Sequence, residues 1–153
     1  MPSNGDAIIL PTGTVKGLAN YPRGRLAPSN TYRTLYISGT SSRRTDGTFD
    51  GVKTNADGHV ELDVRHQTSA IIRNIEEVIK NATSNEGGLQ NVIDATVFLV
   101  DMKSHYSGMN AVWNDIWPNV EEAPARTTIG VRELPSPEMI VEIKCTAVVE
   151  VTR

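Results

Sequence analysis

The chain has 153 residues, of which 39% are hydrophobic and 22% are charged, and its formal net charge at pH 7 is -3. This size and balance exclude a disordered or fibrous chain and predict a single domain over residues 1–153. The acidic balance also excludes a general electrostatic attraction to nucleic acid or to an anionic membrane, so any anion site must be local.

Membrane and secretory segments are not indicated by the sequence. It has no run of about 18 apolar residues, and its amino terminus lacks the basic and then apolar pattern of a secretory signal. We therefore predict a cytoplasmic protein with no membrane partner. The single cysteine, Cys145, cannot form an internal disulfide and is interpreted as a small core residue.

The first elements in chain order are short strands. Residues 7–10 form an apolar run, and residues 34–39 form a second run of β-prone residues. Between them, the segment ANYPRGRLAPSN contains two prolines and a glycine, which predict a loop or an edge strand. Residues 45–58 are rich in Gly, Asp and Asn and predict a surface excursion built from turns.

The middle of the chain predicts two helices around one strand. Apolar residues recur at three- and four-residue steps over residues 63–82, which predicts an amphipathic helix with Asp63 as its N-cap. Residues 92–100 are almost continuously apolar and predict a strand covered on both faces. Ser104 is the predicted cap of a second helix, which ends before Pro118.

The final third predicts two strands, residues 126–134 and residues 139–151, joined as a hairpin by the segment PSPE. The second strand alternates between apolar and polar residues, so one of its faces is polar. The order of elements predicts an α+β domain with two helices packed on one face of a mixed sheet. The other sheet face is left for solvent or for another subunit.

The predicted hairpin would bring charged side chains together. With Thr128 opposite Glu142, Arg126 would lie opposite Lys144 and a carboxylate would sit beside two cations. One interpretation is a ladder of ion pairs on a wetted surface. The other is a binding site, because an arginine fork can hold a planar carboxylate through two charge-assisted hydrogen bonds.

Several other kinds of site are not indicated. The histidines His59, His66 and His105 lack the spacing of a zinc site, so no metal is predicted. The sequence contains no phosphate-cradling glycine loop, no dinucleotide fingerprint and no nucleophile elbow. Covalent catalysis is therefore not predicted.

Six segments carry a family resemblance. YPRG, YISG, DATVFLVDM, MNAVWNDIW, APARTTIGVRELP and VEIKCTAVV resemble, in order and spacing, the RidA/YjgF family of enamine and imine deaminases. The resemblance implies a chorismate-mutase-like α+β protomer with a mixed six-stranded sheet. It also implies a homotrimer with ligand clefts between adjacent subunits and a reaction that needs no cofactor.

The resemblance also implies roles for particular residues. Arg126 resembles the arginine that grips the substrate carboxylate, and Glu142 resembles the acid that positions water. Thr128 stands where many relatives carry cysteine, which puts thiol-dependent chemistry there in doubt. The remaining positions implied to bind substrate are Tyr21, Ser38, Gly39 and Asn110.

A narrower resemblance concerns PRGR at residues 22–25 and SGTSSRR at residues 38–44. Together they resemble the 2-aminomuconate deaminase branch, whose substrate is a six-carbon unsaturated dicarboxylate of aromatic-compound breakdown. A second carboxylate needs a second cation, and the candidates are Arg23, Arg25, Arg43 and Arg44, with Arg43 and Arg25 as first choices. Alternatively, these loop arginines are solvated or pair with nearby acids.

The predicted function is hydrolysis of 2-aminomuconate to a 2-oxo dicarboxylate and ammonia. A general deaminase of enamines such as 2-aminoacrylate is the nearest alternative, because it would use the same arginine and glutamate. A trimeric ligand-binding protein without catalysis is another. An RNA-cleaving role is ranked last, because the acidity of the chain gives little attraction to phosphate.

Overall fold

The computed structural model describes residues 6–11, 13, 23–27 and 31–150. The predicted ligand residue Tyr21 lies outside this part of the chain. The strands in it are β1 (Asp6–Ile8), β2 (Gly24–Leu26), β3 (Tyr32–Thr40), β4 (Val52–Thr54), β5 (Val60–Leu62), β6 (Val92–Val100), β7 (Ala125–Val131) and β8 (Val141–Glu150). The helices are α1 (Val64–Ala82), α2 (Met102–Ile116) and a single 3-10 turn at Leu89–Asn91.

Six of the described strands form one sheet in the order β1-β2-β3-β8-β6-β7. β6 and β7 run parallel and the other neighbours run antiparallel, so the sheet is mixed. Both helices pack on one face of this sheet and contribute to a single apolar cluster with it. The predicted α+β architecture is therefore confirmed.

The core lies between the sheet and α1. Alternate residues of the central strands, such as Leu35, Val97 and Ile143, point towards the helices and are fully buried. They meet the apolar face of α1, which begins at the predicted N-cap Asp63. The Asp63 carboxylate accepts hydrogen bonds from the backbone N–H groups of Arg65 and His66 at 2.8 and 3.1 Å.

The predicted hairpin of the last two strands is wrong. β8 lies between β3 and β6, and β7 is the outermost strand on the far side of β6. β8 carries a fully buried face and takes a central position, whereas much of β7 is exposed, as expected at an edge. Glu142 therefore lies opposite Phe98 and Thr128 lies opposite Val97, so these two residues do not face each other.

Smaller differences concern caps and loops. α2 is capped by Asp101 rather than Ser104, and the Asp101 carboxylate accepts a hydrogen bond from the Ser104 backbone at 3.3 Å. The predicted excursion at residues 45–58 contains β4, which pairs with β5. β2 lies between β1 and β3 rather than at an edge.

Neither α1 nor α2 combines the length and apolarity required to cross a bilayer.

The face of the sheet away from the helices has no covering layer within the described chain. It includes Tyr36 and Ile129, whose exposed fractions are 50% and 43%. On β6, Thr96 and Phe98 point to this face and are half-buried, so the predicted coverage of this strand on both faces does not occur within one chain. We refer to this surface as the open face.

Candidate functional site

Arg126 and Glu142 lie on opposite faces of the sheet. Arg126 on β7 is level with Ala95 and Cys145, which are buried against the helices. Glu142 on β8 is level with Phe98 on the open face. Ala95 and Phe98, which mark the levels of Arg126 and Glu142, are three positions apart along β6, and β7 and β8 lie on either side of β6. The Cα atoms of Arg126 and Glu142 are therefore about 14 Å apart.

Arg126 is held against α2. Its guanidinium carbon lies 4.8 Å from the centre of the Trp113 ring, in cation–π geometry, and its Nη1 donates to the Met109 sulfur at 3.7 Å. Trp113 itself packs against Trp117, with ring centres 4.4 Å apart. A thioether is a weak acceptor. These contacts therefore orient the guanidinium without neutralising it.

Two buried polar atoms accompany Arg126. Within the described residues, neither Asn110 Oδ1 nor Thr128 Oγ1 has a hydrogen-bond partner. Both atoms are closed off from the surface of the single chain, and leaving such an atom unsatisfied costs roughly 1 to 3 kcal/mol. We call Arg126, Asn110, Thr128, Met109 and Trp113 the arginine half-site.

Glu142 forms the second group together with Gly39. β3 contains a bulge between Ile37 and Thr40, which brings the Gly39 backbone against the Glu142 side chain. A Cβ atom added to Gly39 would lie 2.5 Å from Glu142 Oε1, so only glycine leaves room for the carboxylate in its present position. Burial raises the pKa of Glu142. We call Glu142 and Gly39 the glutamate half-site.

A cavity of about 620 Å³ opens beside the glutamate half-site, between α1 and the segment at residues 39–45. Its described lining includes both residues of that half-site and three of the four candidate arginines, Arg23, Arg43 and Arg44. Arg25 lies opposite Tyr36, on the open face, and is not part of this lining. Ser38 precedes Gly39 in the bulge but does not line the cavity either.

The candidate arginines have different surroundings. Arg44 Nε donates to Asp50 Oδ1 at 2.9 Å, and the hydrogen bond to Asp50 raises the pKa of Arg44. Arg43 Nε donates to the Gly47 carbonyl at 3.5 Å, so its side chain follows the turn that Gly47 closes. The Arg23 carbonyl accepts a hydrogen bond from the Ser38 backbone at 2.9 Å, which fixes Arg23 beside the bulge.

Sequence reasoning missed the residues that support these groups. Trp113 could be recognised only as part of the apolar stripe of a helix, and its contact with Arg126 depends on how α2 packs on β7. The sequence pattern indicates only a turn at Asp50, whereas in the structure Asp50 pairs with Arg44. In the part of the chain that the structure describes, no cluster of three His, Cys, Asp or Glu side chains could hold a metal ion.

The chain is similar to known proteins over most of its length. A RutC family protein of Aquifex aeolicus is 29% identical over 80 residues, which cover 52% of this chain and 61% of the relative. A RutC family protein of Synechocystis is 33% identical over 99 residues, which cover 60% of this chain and 74% of the relative. The match therefore spans less than two thirds of the Aquifex protein.

Solved structures share the fold. The crystal structure of TdcF from E. coli with bound serine superposes with a TM-score of 0.68 and 20% identity, covering 94% of this chain and 99% of that one. The sequence model of the family described as Endoribonuclease L-PSP matches residues 19–149. The chain therefore belongs to the Endoribonuclease L-PSP family, to which the RidA/YjgF and RutC proteins also belong.

Proposed function

We propose that this protein hydrolyses 2-aminomuconate, an enamine dicarboxylate, to the 2-oxo dicarboxylate and ammonia without a cofactor. The observation that carries the proposal is the placement of Glu142, a half-buried carboxylate with a raised pKa, in a cavity that arginines also line. A half-buried acid that shares a cavity with arginines is suited to proton transfer on an anionic substrate. Membership of a family that includes RidA/YjgF proteins supports this chemistry.

The proposed active site combines half-sites from two chains in a homotrimer. Within one chain the side chains of Arg126 and Glu142 point to opposite faces of the sheet, so one substrate cannot contact both. β7 is one of the two edge strands of the described sheet, and Arg126 can therefore meet a neighbouring protomer past that edge. A closed ring of three protomers would repeat the same contact three times and create three equivalent sites.

The open face supports the same assembly. Tyr36 and Ile129 are large side chains that remain half exposed on it, and burying apolar area yields roughly 25 cal/mol per Å². Association would therefore bury apolar area that is exposed in the single chain.

The proposed reaction begins with substrate binding and tautomerisation. Arg126 holds the C1 carboxylate through parallel hydrogen bonds, while Trp113 and Met109 keep the guanidinium plane in place. A proton moves from the enamine nitrogen to carbon, which converts the enamine into an imine. The imine carbon is then electrophilic enough for water to attack.

Glu142 is the proposed general base for the hydration step. It accepts a proton from water as the C–O bond forms, and this proton is delivered to the nitrogen. The hydroxyl proton of the resulting carbinolamine then passes to the nitrogen, the C–N bond breaks as the C=O bond forms, and ammonia leaves. The net reaction consumes one water and involves no oxidation or reduction. Burial makes Glu142 a stronger base than an exposed glutamate, which favours this role.

Ammonia release from freshly generated 2-aminomuconate by the purified protein tests the proposal. Loss of a placed general base slows turnover by roughly a hundred- to ten-thousandfold, so we expect such a loss for Glu142→Gln with binding retained. Arg126→Lys keeps the charge but loses the planar fork and should also turn over slowly. Parental rates in Glu142→Gln, or no ammonia release by the parent protein, would contradict the proposal.

A second candidate is a deaminase of smaller enamines with one carboxylate, such as 2-aminoacrylate. The related TdcF structure contains serine, a small amino acid with a single carboxylate, which favours this candidate. Comparing kcat/KM for 2-aminomuconate and 2-aminoacrylate distinguishes the two. Binding of either compound without turnover would instead indicate a ligand-binding protein.

A further inference from the structure

The guanidinium of Arg126 lies beside a pair of tryptophans at the end of α2. We infer that the second of them, Trp117, forms a flat wall for the carbon chain of the substrate, so that the site prefers planar, conjugated carboxylates to flexible, saturated ones. This inference rests on the proposed function, because it takes Arg126 as the group that holds the C1 carboxylate. It adds a specificity-determining residue and defines the substrate class by its shape.

A compact connection brings Trp117 close to Arg126. Trp117 is the C-cap residue of α2, and Arg126 is the second residue of β7. The chain between them turns back on itself, because the backbone N–H groups of Glu122 and Ala123 both donate to the Asn119 carbonyl, at 3.1 and 3.2 Å. The last turn of α2 and the first residues of β7 are therefore neighbours.

The Trp113 ring contacts both groups and limits the distance between them. Its centre lies 4.8 Å from the Arg126 guanidinium carbon and 4.4 Å from the centre of the Trp117 ring. The Trp117 ring centre is therefore at most 9.2 Å from the guanidinium carbon. A carbon chain of five bonds spans about 6 Å when extended, and the hydrogen bonds of the arginine fork add about 3 Å. A six-carbon substrate held by Arg126 can thus extend as far as the Trp117 ring.

The two tryptophans differ in what covers them. Trp113 is only 6% exposed, and the guanidinium of Arg126 lies over its ring. Trp117 packs against the apolar cluster but is only partly buried. The two ring planes are inclined by 41°, so the rings are not stacked flat on each other. Trp117 therefore keeps accessible aromatic surface, whereas Trp113 is used to hold the cation.

The backbone of Trp117 is fixed before any ligand binds. Its N–H donates to the Trp113 carbonyl at 2.9 Å, and Pro118, the next residue, restricts its backbone angles. A wall that is already in position loses little conformational entropy on binding. A conjugated diene is planar and can lie along such a ring, whereas a saturated chain of the same length is staggered and contacts less of it. This difference is the physical basis of the expected preference.

The test compares two ligands that differ only in conjugation. Muconate and adipate are six-carbon chains with a carboxylate at each end; muconate is a planar diene, adipate is saturated, and neither carries the reactive amine. Calorimetric titration of the full chain gives the ratio of the two association constants, and the parent should bind muconate more tightly. Trp117→Leu stays apolar but loses the flat ring, so the ratio should fall about threefold to tenfold. Trp117→Phe keeps a flat ring and should stay within about twofold of the parent.

Tyr32→Leu is the matched control, because it also replaces an aromatic ring with leucine. Tyr32 is 62% exposed and lies level with Glu150, at the end of β3 that is remote from the bulge. The ratio in this variant should remain within about twofold of the parent, as expected for a distant site. The inference is wrong if the parent binds both ligands equally or does not bind muconate, if Trp117→Leu retains the parental ratio, or if Tyr32→Leu lowers it as strongly.

Tryptophan fluorescence is a second measurement, which decides the matter if Trp117→Leu does not fold, as judged by circular dichroism. Trp113 and Trp117 are the only two tryptophans of the chain, so the emission reports on this part of the site. A diene that lies on the Trp117 ring should quench the emission of the parent. Saturating muconate should quench a smaller fraction of the emission in Trp117→Phe, and equal quenching in the two proteins would contradict the contact.

The proposed function is tested separately by ammonia release from the parent protein. If the parent turns over 2-aminomuconate and the muconate-to-adipate ratio is unchanged in Trp117→Leu, the function stands and the role of Trp117 fails. If the ratio falls as expected but the parent releases no ammonia, the role of Trp117 stands for a protein that binds conjugated carboxylates and the hydrolytic function fails.

Discussion

Gly39→Ala is a small substitution that should separate catalysis from stability. The added Cβ would lie 2.5 Å from Glu142 Oε1, whereas ordinary contact begins at 3.4 Å. The carboxylate would therefore have to retreat by about 0.9 Å. A misplacement of about 1 Å can lower the rate roughly a hundredfold. We expect kcat/KM for 2-aminomuconate to fall between tenfold and a hundredfold.

The stability of Gly39→Ala should change little. Gly39 is not among the glycines with positive φ, so alanine can adopt its backbone conformation. The methyl group meets the flexible end of the Glu142 side chain, whose displacement into a poorer rotamer costs roughly 0.5 to 1.5 kcal/mol. The lower entropy of the unfolded chain offsets roughly 0.4 to 1 kcal/mol of this. The free energy of unfolding should therefore change by less than about 1 kcal/mol.

Urea denaturation and ammonia release measure these two effects on the same preparation. Gly130→Ala is the control, because a Cβ there would meet Met102 at an ordinary 3.5 Å and would leave Glu142 untouched. A folded Gly39→Ala protein with the parental kcat/KM would refute the reasoning. It would show that the position of the Glu142 carboxylate does not limit the reaction.

Four further predictions concern the charge of Glu142, the orientation of Arg126 and the backbone at Gly51. Because burial raises the pKa of Glu142 above its usual 4.5, kcat/KM should fall as the pH drops through that raised pKa. A pH profile of kcat/KM that declines only around the usual pKa of glutamate would contradict this. The folded state then binds the Glu142 proton more tightly than the unfolded chain, so ionised Glu142 lowers stability above the folded pKa. Glu142→Gln should raise the free energy of unfolding at pH 8, and this gain should vanish in acid. Trp113→Phe should raise KM for 2-aminomuconate about two- to fivefold, because phenylalanine holds the Arg126 guanidinium less strongly; an unchanged KM would contradict this. Gly51 has a φ of +74°, and a Cβ atom there would collide with Gln67. Gly51→Ala should therefore lower the free energy of unfolding, measured by urea denaturation, by more than about 2 kcal/mol. A variant as stable as the parent would contradict this.

Elements defined by local signals were predictable from the sequence. α1 starts directly after the predicted cap Asp63, because a carboxylate that accepts backbone N–H groups and the apolar period of the helix are both encoded locally. β6 has its predicted bounds, because a β-branched run between turn residues is also a local pattern. The two-helix, one-face architecture follows from the order of these elements.

Strand neighbours were not predictable in the same way. Alternation in β8 correctly indicates that Glu142 and Lys144 share a face, but it contains no information about which strand lies alongside. The short PSPE connection favoured a hairpin, whereas β7 instead pairs parallel to β6. The faces of Arg126 and Glu142 depend on that long-range pairing. Their separation within one chain was therefore visible only in the folded structure.

The candidate site shows the same division. Arg126 and Glu142 could be singled out from residue types and strand alternation, whereas Gly39 was indicated only by the family resemblance. The close approach of Gly39 to Glu142 gives a physical reason for that glycine. The ion pair between Arg44 and Asp50 could not be predicted, because it depends on the turn between them. The roles of these residues in catalysis remain predictions.

The central claim is that each active site takes its arginine from one protomer and its glutamate from another. Arg126→Ala and Glu142→Gln should each be inactive alone, and co-expression should assemble them into mixed trimers. With random mixing in equal amounts, about one interface in four pairs an intact Arg126 with an intact Glu142, which predicts recovery of about a quarter of the parental ammonia release. Mixed trimers that remain as inactive as the separate variants would contradict the shared site.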